Sequence, residues 1–220
     1  TAVILAGGKG TRLATVRKDI PKPMMPLLDK PLLQYQIELL AEHGFTNVWL
    51  IVGHLHEQIQ EYFGNGSRFG IDIQYFIEEM PLGTVGGVKA LETHLTEPFL
   101  VLYGDVMMNM DLEKLVLFHQ NKGADATLVV HPNDHPYDSD LLDVDGQDRV
   151  TAFYPKPHPE GSRYRNLVNA AAYVFHPSVL TKLEAGVKAD FGKDIFPWLY
   201  KELKVYAYNT PEYLKDMGTP

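Results

Sequence analysis

The chain has no cysteine. That excludes disulfides, thiolate metal sites and a cysteine nucleophile, and it fits a reducing, cytoplasmic compartment. No apolar run approaches the roughly 20 residues needed to span a bilayer, so no membrane association is expected. A basic excess is also missing. There are 20 Lys and Arg against 28 Asp and Glu, a formal net charge of −8, which argues against nucleic-acid partners. No basic segment precedes the first apolar run, so no signal peptide is expected. Neither an internal repeat nor a low-complexity tract is visible. What remains is 220 residues, 45% hydrophobic and 22% charged, ordinary for a globular chain with one large core.

The basic residues are concentrated at the start. Residues 1–31 hold six Lys and Arg (Lys9, Arg12, Arg17, Lys18, Lys22, Lys30) against two acids, Asp19 and Asp29. A positive segment on an acidic protein points to a local anion site, not to a polyanion-binding surface. Within it the apolar run Ala2–Ala6 empties into Gly7-Gly8-Lys9-Gly10-Thr11-Arg12. This loop has neither the Walker spacing nor the full dinucleotide fingerprint. Its glycines still let backbone N–H groups turn toward an oxyanion, and Arg12 adds a charged fork. The plain alternative is an ordinary glycine-rich turn. Lys22, between Pro21 and Pro23, is stiffly placed; its alternative is a solvated lysine.

Further along, periodicity predicts a helix from Pro31 through Ala41, stopped by Gly44, then a strand over Asn47–Val52, a helix over His56–Phe63 and a strand over Ile71–Ile77. The loop Glu78–Thr84 leads into a helix through Val88, Leu91 and Leu95. The strand Phe99–Tyr103 ends at Gly104-Asp105, and the helix Leu112–Asn121 precedes the strand Ala126–Val130. This alternation predicts an α/β fold with a doubly wound, mostly parallel sheet, whose ligands lie beyond the carboxyl ends of the strands. Gly7–Arg12, Glu78–Thr84 and Gly104–Asp105 all fall at such ends, which argues for one shared cleft. From His131 the texture changes to a proline- and aspartate-rich loop, a hairpin of Leu141–Val144 with Val150–Tyr154, a strand over Leu167–Phe175, helices near Ser178 and over Ile195–Leu203, and a short strand over Val205–Tyr208. Residues 131–220 read as a small α+β lid continuous with the sheet of residues 1–130, in one domain.

Asp105 at a strand end suits a hard cation such as Mg²⁺, which takes few protein ligands and fills its shell with phosphates and water. A turn aspartate is the alternative. Asp216, just before Met217-Gly218-Thr219-Pro220, is open to the same two readings. His54-Leu55-His56 is a weak metal candidate, since no HExxH-type spacing accompanies it. Phe196-Pro197-Trp198 packs the last helix or contacts another copy in a homo-oligomer.

Taken together, LAGGKGTRL, PKPM, EEMPLGTVGG, GD, the Lys156-Pro157 of YPKP, NAAAYVF and DMGTP stand in the order found in sugar-1-phosphate nucleotidyltransferases. The chain resembles that family along its whole length, and most resembles the guanylyltransferases for mannose or heptose 1-phosphates. The resemblance implies a Rossmann-like, glycosyltransferase-A-like mixed sheet, and an enzyme that makes an NDP-sugar and pyrophosphate. It implies that Leu5, Ala6, Gly7, Gly8, Gly10, Thr11 and Arg12 hold the nucleoside triphosphate, with Glu78, Gly83 and Thr84 along the base and ribose. Arg12, Lys22 and Asp105 would be catalytic, and Asp105 and Asp216 would hold Mg²⁺. Lys156 would grip the sugar phosphate, with Asp105 and Asn169 beside it.

Such a reaction needs no enzymic nucleophile, because the sugar phosphate is one. Its phosphate carries about −1.5 to −2 charge and must approach an anionic triphosphate, so charge neutralisation and in-line positioning are the main tasks. Glu78 favours GTP, because a carboxylate accepts two hydrogen bonds and guanine offers two adjacent donors; uracil and thymine suit a neutral amide better. The favoured sugar is D-glycero-alpha-D-manno-heptose 1-phosphate, with mannose 1-phosphate and uridylyl or thymidylyl transfer as alternatives. A silent nucleotide-sugar sensor is the alternative of another class. Two departures touch the sugar pocket: Pro155 stands where relatives often have glutamate, and Tyr137-Asp138-Ser139-Asp140 stands for their Tyr-Gly. The sequence stops at DMGTP, where relatives continue, so a further C-terminal segment and a fused or partner sugar phosphatase are expected to be compatible with it.

Overall fold

The computed structural model describes residues 1–8 and 19–217. In chain order the elements are β1 (Ala2–Leu5), a small ribbon of β2 (Pro26–Leu27) and β3 (Lys30–Pro31), α1 (Leu32–Glu42), β4 (Asn47–Val52), α2 (His56–Phe63), β5 (Asp72–Ile77), α3 (Gly83–Ala90), β6 (Phe99–Tyr103), β7 (Val106–Asn109) and α4 (Leu112–Lys122). The second half contributes β8 (Ala126–His131), β9 (Leu141–Val144), β10 (Val150–Tyr154), β11 (Val168–Phe175), α5 (Phe196–Glu202), β12 (Val205–Asn209) and β13 (Tyr213–Asp216).

Nine strands form one mixed sheet in the order β10-β9-β11-β6-β1-β4-β5, with β8 on β11 and β12 on β8. Only β10 and β11 run against the others. Strand residues alternate between two cores. Ala2, Ile4, Leu100 and Leu102 face α1, α2 and α4 on one side, while Val3, Phe99 and Val101 face α3 and α5 on the other. This is the doubly wound arrangement that the alternating pattern predicts, since each face of a buried sheet must be covered. β8, β11 and β12 share the sheet with β1, so the second half is continuous with the first. Among the described residues no helix is long and apolar enough to cross a membrane.

Three stretches expected to be helical, or to flank a helix, take another form. α3 ends at Ala90, not near Leu95, because the chain tightens into short turns in which His94 N–H bonds the Leu91 carbonyl, ahead of Pro98. Leu91 and Leu95 are nonetheless buried. The helix expected near Ser178 is a 3-10 helix over Pro177–Lys182. Before α5 lies a π-helical turn, Phe191–Ile195, whose entry Asp190 caps with bonds from the Gly192 and Lys193 N–H groups. Phe191 stacks among Tyr173, Phe175 and Phe196. Burying one such ring contributes about 2–3 kcal/mol, more than a single hydrogen bond at about 1 kcal/mol, so the rings seat this segment and the cap orients it.

The candidate active site

Three strand ends meet where glycine leaves room. The Ala6 N–H bonds the Ile51 carbonyl, and the Gly104 N–H bonds the Leu5 carbonyl at 3.0 Å. A Cβ on Gly53 would stand 3.0 Å from the Gly7 carbonyl oxygen, and one on Gly104 would stand 3.0 Å from that of Leu5. The ends of β1, β4 and β6 therefore pack backbone to backbone. The side chain of Ala6 is buried, which leaves its main chain for any ligand. Gly7 and Gly8 continue from it. Gly10, Thr11 and Arg12 lie outside the described residues.

Lys22 enters from below. It starts a 3-10 turn, Lys22–Met24, with Pro21 ahead of it and buried Pro23 inside it. The Cγ of Pro23 would stand 3.4 Å from a Cβ on Gly104. So braced, the Lys22 ammonium pairs with the carboxylate of Asp105, with side chains 16% and 29% exposed respectively. The Gly104-Asp105 turn is held by Gln36 of α1, a fully buried residue whose amide donates to the carbonyls of Tyr103 at 2.8 Å and Val106 at 2.6 Å. No sequence motif marks Gln36 for this role. The available signal was a polar residue on the apolar face of α1, next to Ile37.

The second carboxylate arrives from the far end of the chain. β13 pairs antiparallel with β7, opposing Asp216 to Val106, and the Met217 N–H bonds the Asp105 carbonyl at 2.9 Å. Two hard-oxygen donors thus stand on neighbouring backbone beside a lysine. Among the described residues no cluster of three or more metal-ligating side chains occurs. A two-carboxylate set fits Mg²⁺, which completes its octahedron with water and substrate phosphate, and it does not fit a metal needing a full protein cage.

Glu78 follows β5, its N–H bonded to the Val52 carbonyl. Its carboxylate lies between two glycines: a Cβ on Gly7 would be 3.0 Å from Oε2, and one on Gly87 would be 3.0 Å from Oε1. Burial raises its pKa, and a bond from the Leu82 N–H partly offsets this. Oε1 is buried without a partner. Gly83, at φ +75°, approaches Ala189 so closely that a Cβ would meet its carbonyl oxygen at 2.2 Å. The Thr84 hydroxyl donates to Asp190 and accepts from the Phe191 N–H. Gly83 and Thr84 therefore dock α3 onto the segment before α5, a tie that joins the two halves of the chain.

In the second half of the chain, Lys156 follows β10 and Asn169 lies in β11. A bulge between Asn169 and Tyr173, with Ala171 at φ 55°, turns the strand at this point. Asn169 donates to the Tyr173 hydroxyl at 3.0 Å, and its Oδ1 is buried without a partner. Burial pushes the Tyr173 phenol well above its usual range, so it stays a neutral hydrogen-bonding group. The structure thus pairs Lys22 with Asp105, sets the backbone of Asp216 beside them and brings Gly7 to Glu78, while Lys156 and Asn169 meet around Asp140. Among the described residues His54 and His56 belong to no cluster of three or more metal-ligating side chains, and His56 Nδ1 lies 3.2 Å from the Gly53 carbonyl.

The nucleotidyl transferase family profile matches residues 1–220. A UTP–glucose-1-phosphate uridylyltransferase of Synechocystis sp. is 35% identical over 232 residues, covering 99% of this chain and 60% of that protein. A mannose-1-phosphate guanylyltransferase of Mycobacterium tuberculosis is 35% identical over 222 residues, covering 100% and 61%. The chain spans about 60% of the length of these relatives. Among solved structures, HddC from Yersinia pseudotuberculosis, also crystallised with GMP-PN, superposes with a TM-score of 0.84 at 27% identity, covering 100% of this chain and 94% of that one. A putative glucose-1-phosphate thymidylyltransferase from Bacillus anthracis gives 0.89 at 19% identity, covering 100% and 90%, a likeness of fold.

Proposed function

Because the chain belongs to the nucleotidyl transferase family, in its sugar-1-phosphate branch, we propose that it transfers a nucleotidyl group from a nucleoside triphosphate to a sugar 1-phosphate. A phosphate oxygen of the sugar 1-phosphate forms a bond to the α-phosphorus, the bond from that phosphorus to the bridging oxygen breaks, and the electron pair leaves with pyrophosphate. The observation that carries this reading is the Lys22–Asp105 pair at the end of β6 with Asp216 brought alongside by β13.

Lys22 supplies fixed positive charge where two anions must meet, and its proline-braced turn keeps it there without reorganisation. Asp105 and Asp216 would hold Mg²⁺. When bound, the ion neutralises phosphate charge and orients the leaving group. The main chain of Gly7 and Gly8 turns N–H groups toward the triphosphate, with Arg12 on the departing phosphates. Lys156 grips the incoming phosphate and Asn169 the sugar.

GTP is the favoured donor. Glu78 offers a carboxylate with one buried, unpartnered oxygen, and the N1–H and N2–H₂ edge of guanine supplies donors for it. The favoured acceptor is D-glycero-alpha-D-manno-heptose 1-phosphate, on the resemblance of the motifs. The guanylyltransferase and uridylyltransferase relatives support mannose 1-phosphate with GTP, or UTP with another sugar, as the second readings. Pyrophosphate release from the protein with Mg²⁺, across GTP, UTP, dTTP, ATP and CTP against heptose, mannose and glucose 1-phosphates, tests this. GTP with the heptose should give the largest kcat/KM. Nucleotide binding without turnover for any pair would favour a silent sensor.

A further inference from the structure

Three consecutive residues ahead of β9 hold the segment that carries Lys156. Lys156 Nζ donates to the Asp138 carbonyl at 2.8 Å, His158 Nε2 to the Ser139 carbonyl at 2.8 Å, and the Lys156 N–H to Oδ1 of Asp140 at 3.1 Å. The second bond fixes the histidine proton on Nε2, because a carbonyl only accepts.

Asp140 does more than its two neighbours. Its own carbonyl accepts from the Asn169 N–H at 3.0 Å, and the nearby Asn169 amide helps to hold its pKa down. Its Oδ2 lies so close to Gly192 that a Cβ there would stand 2.2 Å away. Behind Gly192, Asp190 takes the hydroxyl of Thr84 from the nucleotide half. Burial pushes the Asp140 carboxylic acid up, the Lys156 N–H and ammonium pull it down, and Asp190 pushes it up again. A sheltered carboxylate near a second one is unfavourable unless the groups it holds matter.

We propose that Asp140 is the positioning residue of the sugar-phosphate site. It sets the spacing between Lys156 and Asn169, and so governs affinity for the sugar 1-phosphate but not for the nucleotide. The inference rests on the reading of Lys156 and Asn169 given above. With Lys156 on the phosphate and Asn169 on the ring, Asp140 acts as a ruler between the two ends of one substrate, its carboxylate on the Lys156 N–H and its carbonyl on the Asn169 N–H, and small displacements of such a ruler weaken binding.

The test is steady-state kinetics on Asp140→Ala, Asp140→Asn and Gly192→Ala with the best substrate pair, with thermal melting alongside. Asp140→Ala should raise the KM for sugar 1-phosphate about tenfold or more, equivalent to about 1.4 kcal/mol, with the nucleotide KM within about twofold. Asp140→Asn keeps an acceptor for the Lys156 N–H and should recover much of the loss. Gly192→Ala displaces the carboxylate without touching Lys156 or Asn169, so it should reproduce the sugar-selective rise, even where Asp140→Ala fails to fold. Combining Asp140→Ala with Lys156→Ala should be non-additive, because one acts through the other. Parallel rises in both KM values, strict additivity, or a lower melting temperature with unchanged KM values would overturn the proposal in an active enzyme. Absence of turnover by the unaltered protein would instead remove the functional reading, and the proposal with it.

Discussion

The two ends of the site are held by different means. Around Asp105 the supports are backbone and buried core: the Gly104 N–H on Leu5, the Gln36 amide on Tyr103 and Val106, and a β-ladder that carries Asp216. Around Lys156 the supports include loop side chains, chiefly Asp140, together with His158 on the Ser139 carbonyl. A strand end cannot move without breaking ladder bonds and disturbing a close-packed interior. A loop fastened by side chains can be reset by one substitution. On the proposed roles, the bond-making end would therefore be the rigid one, and the selecting end the one open to retuning.

Substitutions should separate the two ends. Asp105→Asn keeps the shape of the turn and removes its charge. It should lower kcat by about 10²–10³, the scale for losing one electrostatic stabiliser of a transition state, with circular dichroism unchanged. Near-normal single-turnover rates would place the chemistry elsewhere. Gln36→Leu should damage both stability and rate, because each buried carbonyl left without its donor costs about 1–3 kcal/mol. A melting temperature equal to that of the parent would show that the turn does not depend on it. Glu78→Gln should reduce the preference for GTP over UTP by about tenfold, the worth of one charge-assisted bond. An unchanged ratio of kcat/KM values would remove Glu78 from base reading.

The smallest effect concerns a group with no role at either end. His119 of α4 is buried against Thr127, and burial lowers its pKa from 6.5 to about 4. Below pH 6.5 the unfolded chain takes up this proton more readily than the folded one. The His119 contribution is therefore full above pH 6.5 and fades as the pH falls toward 4. Denaturant melts of His119→Gln should show a shallower loss over that window, and an identical slope would assign the acid sensitivity to other groups.

Much of the architecture was legible in the sequence, because Asn47–Val52, Phe99–Tyr103 and Ala126–Val130 are apolar runs long enough to declare themselves. β7 and β13 were not. Each has four residues of mixed polarity and exists only by pairing with the other, across a distance that local patterning does not register. Gln36 was hidden for the same reason, since its carbonyl partners come from β6 and β7. The motif containing Gly83 and Thr84 resembles a substrate loop in sequence, and its grip on Ala189, Asp190 and Phe191 stays hidden there because it depends on a segment at the other end of the chain.

The β7–β13 ribbon also sets an order of assembly. During synthesis, Lys22 and Asp105 can come together long before Asp216 leaves the ribosome, and the main sheet already has its last strand at Asn209. A chain emerged only through Asn209 thus has every strand of the main sheet but only one of the two carboxylates proposed to hold Mg²⁺. A chain ended at Thr210 should retain most of its melting transition and lose Mg²⁺-dependent turnover; normal turnover would refute this. On the proposed reading, the last ribbon would then act as an interlock, withholding triphosphate chemistry until the protein has been made past Asp216.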